Sequence, residues 1–470
     1  MSFSIEAYYL FAVFVFILLA LTTQPDARRD YYIALCLAVI GMGITLPGLG
    51  LKGDLFNEVY RVDFFSQVFK VLLSIGLFLV VFLCSELNGI SERYHTEFYL
   101  LLNTCTLAMM LLVSSVHLLT IYVALELSSY CLYVLVFLRK GNSLGIGVSL
   151  RYFLIGATAS AIMLFGMALL YSVAGTAYLI QLVKFIPKII NQPMVGIGLL
   201  LCLTGFFFKL AVFPFHFWAP EVYQSAANQL AAYIATASKV AAIAILMRII
   251  ALCNGQSHFL VEILIALAVL SMTVGNLSAL AQKDLKRLLA YSSIAHAGYM
   301  LIGVLSMNSQ GYVGVIFYSV ALLLMKFACF MVIILVADDG RNLNIDHLAG
   351  LHRRAPLLAL TLMLALFGLA GIPPTIGFTG KLLIFSAAIK NGYLPLVLIA
   401  MLNVVISLYY YLMVLKAAYL TEPEIETNGI DFCLSDKIIS GFLITIMVVA
   451  GIYPTIFIQI AEAATRALMM

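Results

Sequence analysis

Four lysines stand inside apolar runs long enough to cross a bilayer: Lys209 in GFFFKLAVF, Lys239 in YIATASKVAAIAIL, Lys326 in FYSVALLLMKFACF and Lys381 in GIPPTIGFTGK. A lysine at the centre of a membrane helix costs about 2.5–3.5 kcal/mol on insertion scales, so four of them demand a reason. Glu126, in IYVALELSSY, is immersed in the same way among Tyr122, Ser128, Ser129 and Tyr130. A carboxylate and several ammonium groups spread through the hydrocarbon depth are the parts of a proton or ion path. At about 4 Å and an effective dielectric of about 20, a Glu126–Lys209 pair would attract by about 4 kcal/mol, so moving one partner would change protonation. Structural roles compete with this: a static ion pair for Glu126, capping of freed carbonyls near Pro214 for Lys209, snorkelling for Lys239 and a helix-end position for Lys381. Lys326, with no polar sequence neighbour nearer than Ser319, is read as a central relay from its position alone. His216 and His296 are possible relays, against the commoner role of a satisfied packing histidine. Arg151, in SLRYFLIG, keeps its charge under all conditions, so it biases the local potential without passing a proton on.

The elements that must hold these residues are membrane helices. Hydrophobic residues make up 64% of the chain and charged ones 10%, and apolar stretches able to span about 30 Å of hydrocarbon recur from end to end. The sequence therefore predicts an all-α polytopic membrane protein of about fourteen spans. A soluble enzyme is excluded, and the net charge of +4, dispersed over loops, offers no nucleic-acid surface. The opening MSFSIEAYYL lacks the basic region of a cleaved signal peptide. Two spans share a defect: 209–220 reads KLAVFPFHFWAP with Pro214 and Pro220, and 371–381 reads GIPPTIGFTGK with Pro373 and Pro374. Proline removes a helix hydrogen bond and frees carbonyls, which membrane depth tolerates only inside protein or along a wet cavity. These broken spans fall seventh and twelfth, so their units run in opposite directions, as inverted repeats do around a transport site.

The expected organisation is three spans over 1–96, a first five-helix repeat over 97–255, a second over 256–420, and a C-terminal span within 421–470, ending near 460. The stretch 178–190 is expected to lie along the surface, and loops 52–63 and 421–436 to be acidic-leaning connectors. Odd-numbered loops hold about 13 Lys and Arg residues and even-numbered loops about 6, which puts both termini on the outer face. Lys283, Lys286 and Arg287 read as part of a cytoplasmic anchor. Eight cysteines occur singly, without a CxxC or Cys/His cluster, so structural zinc and iron–sulfur ligation are not expected. Neither GxGxxG nor GxxxxGK[ST] occurs, so no nucleotide loop is expected either.

Several stretches resemble one family: ALELSSY (124–130), FFFKLAVFPFHFWAPEVYQ (206–224), ATASKVA (235–241), GNLSALAQKDLKRLLAYSSIAHAGYM (275–300) and GIPPTIGFTGK (371–381). Together they are similar to subunit N of bacterial respiratory complex I, which has counterparts in mitochondria, as subunit 2, and in chloroplasts. The resemblance covers roughly residues 100–400. It implies Glu126 and Lys209 as the charged pair of a first half-channel, Lys239 as the central connecting lysine and Lys381 as the lysine of a second half-channel. It further implies proton translocation driven by quinone reduction elsewhere. Quinone, flavin and iron–sulfur clusters would lie in partner subunits, with no cofactor or metal held by this chain. The implied partners are the antiporter-like subunits M and L and the small subunit K. The implied setting is a bacterial or archaeal cytoplasmic membrane or an organellar inner membrane. Where many members read MKY this chain reads LRY, so Arg151 stands in place of a lysine. Two alternatives are a cation/proton antiporter subunit of the Mrp type and an inert scaffold of a membrane arm.

Overall fold

A computed structural model describes residues 2–140, 145–190, 192–253, 258–337, 339–422 and 433–469. The chain begins with α1 (Ser4–Thr22), α2 (Ala27–Thr45) and α3 (Phe64–Phe82). Between α2 and α3 the 52–63 connector folds into an antiparallel hairpin, β1 (Gly53–Leu55) and β2 (Tyr60–Val62). Next come α4 (His95–Ser114), α5 (Leu118–Phe137), α6 (Gly145–Ala174) and α7 (Leu179–Ile189). The first broken span is α8 (Pro193–Leu210) with α9 (Trp218–Ser225), followed by α10 (Asn228–Ala235) and α11 (Ala237–Ala251). The second half consists of α12 (His258–Leu280), α13 (Leu285–Leu305), α14 (Ser309–Val336), the short α15 (Leu351–Arg354), α16 (Pro356–Ala370), α17 (Ile376–Lys390) and α18 (Leu394–Leu420). The chain closes with α19 (Leu434–Ile452) and α20 (Thr455–Met469).

Among the described residues thirteen helical stretches are long and apolar enough to cross a membrane. The 15-residue α16 and α17 are each too short alone and together supply a fourteenth crossing. The closely spaced α4 and α5 are distinct helices, separated by the extended Ser115–His117, which bridges to Tyr60 and Tyr178. The 178–190 stretch, expected along the surface, forms helix α7, with Leu179, Leu182 and Ile186 on its inner face. The last span ends earlier than the sequence suggests. Pro454 has no N–H to continue α19, and α20 then packs back against α3 and α14. Of the expected 421–436 connector, residues 423–432 lie outside the described residues.

Burial separates an inner group of helices from a perimeter. The apolar window of α10–α11 is 94% buried and that of α13 likewise, against 22% for α19. A helix apolar on all sides and enclosed on all sides belongs to the centre of the bundle, and these are the helices that carry Lys239 and His296. The N-terminal helices are tied to this centre by an ion pair. Arg248 of α11 donates from Nη2 to both Asp63 carboxylate oxygens at 2.8 Å, and from Nε to the Val113 carbonyl at 3.2 Å. Asp63 in turn caps α3, accepting from the Ser66 amide at 2.7 Å while Ser66 Oγ accepts from the Asp63 amide. Arg248 thus lies inside the protein rather than in a loop.

Removing one partner from a buried pair strands the other charge, at a cost of about 3–5 kcal/mol. Arg248→Met is therefore expected to lower the thermal stability of the purified complex markedly. The double substitution Arg248→Met/Asp63→Leu should recover most of the loss, as read by thermal denaturation.

Candidate functional site

The two helix breaks are built alike, 160 residues apart. At the end of α8 the Val212 amide donates to the Phe207 carbonyl and the Ala211 amide to that of Phe208; at the end of α16 the Ile372 amide donates to Phe367 and the Gly371 amide to Gly368. Ala211 and Gly371 occupy corresponding positions and both are left-handed, with φ of 60° and 86°. Only the second uses the residue suited to that conformation without steric cost. Both breaks then expose the same carbonyl. Leu210 O accepts from Lys239 Nζ at 2.6 Å, and Ala370 O accepts from Lys381 Nζ at 3.0 Å, with Leu369 O at 2.8 Å as well. Two lysines from different spans thus satisfy equivalent orphan groups. Capping near Pro214 falls to Lys239, not to Lys209. Trp218 Nε1 adds a second hydrogen bond to the Phe208 carbonyl, at 2.9 Å.

Lys209 turns instead to α5, donating to Ser128 Oγ and Ser129 Oγ at 3.0 Å each. Glu126, two residues before Ser128, accepts from Ser160 of α6. Ser129 stands one turn beyond Glu126 on α5, which brings Lys209 to the same stretch of that helix, but no ion pair joins the two. Each is met by serine instead of the expected direct contact, Glu126 by Ser160 and Lys209 by Ser128 and Ser129. Arg151 lies at the periphery, with its side chain 61% exposed and paired to Glu221 at 3.1 Å. His216 sits in the first break between the rings of Phe213 and Phe217, its Nδ1 without a protein partner and without a bond to any of the lysines. Pro214 and Pro374 follow corresponding cis peptide bonds, the latter joining it to Pro373.

In the second half the polar groups form a chain. Lys326 Nζ donates to the Leu289 carbonyl at 2.9 Å and to Ser292 Oγ at 2.7 Å. Ser292 Oγ shares a hydrogen bond with Tyr411 OH at 2.5 Å, and Tyr411 OH lies 3.2 Å from His296 Nε2. His296 Nδ1 lies 2.7 Å from Tyr318 OH. The His296 ring also packs edge-on to Tyr299, whose face lies 4.8 Å from Lys381 Nζ. Ser292, Tyr318, Tyr411 and Tyr299 carry no signal in the linear sequence, because they come from α13, α14 and α18 and meet only when folded. A histidine with a hydroxyl on each ring nitrogen can take a proton on one and release it from the other.

A cavity joins the halves. It is lined by Thr236, Lys239, Ser293, His296, Ser319 and Lys326, with apolar walls from α11, α13 and α14. Its ≈ 20 Å³ of space for water centres exceeds the roughly 10–15 Å³ that a water needs. The cavity opens where span eight is interrupted between α10 and α11. Thr236 departs from helical geometry (φ −113°, ψ −86°) and its hydroxyl bonds the Ala232 carbonyl at 2.7 Å. The sequence shows no proline there and gives no warning of the interruption. Lys286, expected in a cytoplasmic anchor, is wholly buried and donates to the Ala226 carbonyl at 2.8 Å, where Arg139 also binds.

Sequence comparison decides the family. A family model described as NADH:quinone oxidoreductase/Mrp antiporter, TM, matches residues 115–407. The chain is 57% identical to NADH-quinone oxidoreductase subunit N 2 of Syntrophobacter fumaroxidans over 469 residues, 100% of this chain and 99% of that one. The chain belongs to the NADH-quinone oxidoreductase subunit N family. A chain of respiratory complex I from Thermus thermophilus, solved with bound Aureothin, superposes with a TM-score of 0.84 at 33% identity, covering 98% of this chain and 99% of that one. A chain of the Mrp complex from Dietzia sp. superposes with a TM-score of 0.88 at 19% identity, over 100% and 97%, and so shares the fold. This member of the family is thus an integral membrane protein built on the antiporter-like bundle.

The second break depends on close backbone approach. A Cβ at Gly377 of α17 would overlap the Gly368 carbonyl of α16, whereas one at Gly147 of α6 would meet nothing within 4 Å. Gly377→Ala should cut the amount of assembled complex several-fold on native gels. Gly147→Ala should leave it unchanged or slightly raised, because alanine favours helix by about 1 kcal/mol.

Proposed function

We propose that the chain is a proton-translocating membrane-arm subunit of a complex I-type quinone oxidoreductase. The cavity shared by Lys239, His296 and Lys326 carries this reading, because it offers room for a water between titratable groups of two similarly broken halves. Lysines serve here and arginine would not, since only lysine can shed its proton in a dry site. The proposed route enters at Glu126 and Lys209, which face the Ser160 and Ser128–Ser129 hydroxyls. It continues to Lys239, held on the carbonyl of the residue next to Lys209. A water in the cavity passes the proton to His296 or Lys326, and further water must carry it past the Tyr299 ring to Lys381. Two unit charges about 7 Å apart repel by about 2 kcal/mol at an effective dielectric of about 20, so protonation on one side of the cavity discourages it on the other. A neighbouring subunit that shifts the local potential can thus move the proton. Arg151 biases that potential from the rim.

In this proposal the two repeats, 97–255 and 256–420, act as opposed half-channels between the N-terminal helices and the C-terminal span. Quinone, flavin and iron–sulfur chemistry resides in partner subunits, and the neighbours are subunits M, L and K. Both termini face the outer side, from the loop distribution of Lys and Arg. An Mrp-type role rests on a shared fold alone. Copurification with flavin- and iron–sulfur-bearing subunits supports complex I, and copurification with Mrp-type partners alone would favour the antiporter.

Lys239→Arg retains charge and blocks proton release. In assembled complex reconstituted into vesicles, it should lower proton pumping several-fold, with electron transfer restored when the membrane is uncoupled. Wild-type pumping in this variant would overturn the relay.

A further inference from the structure

Outside the lysine axis, a second cluster of buried ionisable groups lies in the N-terminal helices. Lys70 of α3 and Glu6 of α1, both fully shielded, form an ion pair at 2.5 Å. Tyr60 of β2 donates its hydroxyl to Glu6 Oε1 at 2.5 Å, and the Lys70 ammonium lies 5.3 Å from the Tyr60 ring centroid. About one turn further along α1 and α3, Tyr9 and Ser74 share a hydrogen bond at 2.8 Å. The Asp63–Arg248 pair adjoins the N-terminal end of α3. Two carboxylates and two cations balance in charge, yet the hydrogen bonds of the cluster do not close. Glu6 Oε2 and both amide atoms of Gln67 are buried without a protein partner among the described residues. Gln67 stands about one turn before Lys70 on α3, and Lys70 finds no acceptor beyond Glu6. Polar atoms in this condition are ordinarily met by internal water. A pair serving only to lock α1 against α3 would have no use for an amide left open on both sides.

We propose that Glu6 and Lys70 form a proton-exchanging site that links the central axis to the membrane face bearing the β1–β2 hairpin. The inference rests on the proton-translocation reading above. Helix α3 supplies the connection. At Gly76 it packs so closely on α11 that an added Cβ would come within 3.1 Å of Ala237 Cβ, and within 3.8 Å of Leu323, which lines the central cavity. In the transfer, the Lys70 ammonium gives its proton to the Glu6 carboxylate, leaving a neutral amine beside a neutral acid. The acid releases that proton to water, and the amine recovers one from water beside Gln67. The pair returns to its starting charge.

Two variants test this in assembled complex reconstituted into vesicles. Lys70→Arg keeps the ion pair but cannot shed a proton. Glu6→Gln/Lys70→Met removes both charges while keeping the packing. Both should lower pumping at least several-fold with electron transfer retained under uncoupling. A static pair would tolerate both, so wild-type pumping in either variant overturns the site. Lys239→Arg measured in parallel separates the two ideas. Normal pumping there sinks the proton reading as a whole, whereas loss there with normal pumping in Lys70→Arg sinks this site alone. Should neither variant assemble, a density map of the native complex decides. Water within hydrogen-bonding distance of the Gln67 amide and Glu6 Oε2 supports the site, and a dry cluster overturns it.

Discussion

An ammonium ion in hydrocarbon and a helix carbonyl without an amide are each untenable alone, and the architecture depends on satisfying one with the other. Both broken helices end in a left-handed residue, which leaves Leu210 and Ala370 with carbonyls that no backbone amide reaches. Lys239 and Lys381 close those positions. The breaks and these two buried lysines are therefore one feature. A straight helix would have nothing to offer the lysine, and an apolar residue would leave the carbonyl bare.

The acceptors are neutral, and this decides what the lysines can do. Lys209, Lys239, Lys326 and Lys381 are held by hydroxyls and carbonyls, with no carboxylate among the described residues in direct contact. A lysine locked to a carboxylate keeps its proton as long as the pair holds. One held by neutral dipoles responds to charges appearing nearby, including those on the next lysine. Enclosure makes that response strong, since α10–α11 and α13 are almost fully removed from the perimeter and little solvent screens the field. The Glu126 region follows the same logic, with serine hydroxyls rather than each other binding the carboxylate and the ammonium.

Much of this is legible in the sequence, and for a definite reason. Lysine and proline are so costly inside an apolar run that Lys209, Lys239, Lys326, Lys381 and the two breaks announce themselves. Lys70 in FFSQVFKVLL also interrupts an apolar run, but it stands close to the start of its span, where a lysine is less costly. Only the fold shows its carboxylate partner, Glu6, 64 residues earlier. Tyrosines and serines carry no such cost. The link from Lys326 through Ser292, Tyr411 and His296 to Tyr318 is therefore silent in one dimension. The interruption at Thr236 is silent too, because threonine is unremarkable in a helix until its neighbours open a cavity beside it. Which carbonyl each lysine would cap also depends on tertiary approach, which spacing from the proline does not report.

The central claim is that Lys239 communicates with His296 and Lys326 through water in the cavity between α11, α13 and α14. A density map of the intact complex in lipid, sharp enough to place ordered water, tests it most directly. The expected result is at least one water within hydrogen-bonding distance of Lys239 Nζ and of either His296 or Lys326. A junction that is dry, or closed by apolar side chains, would contradict it.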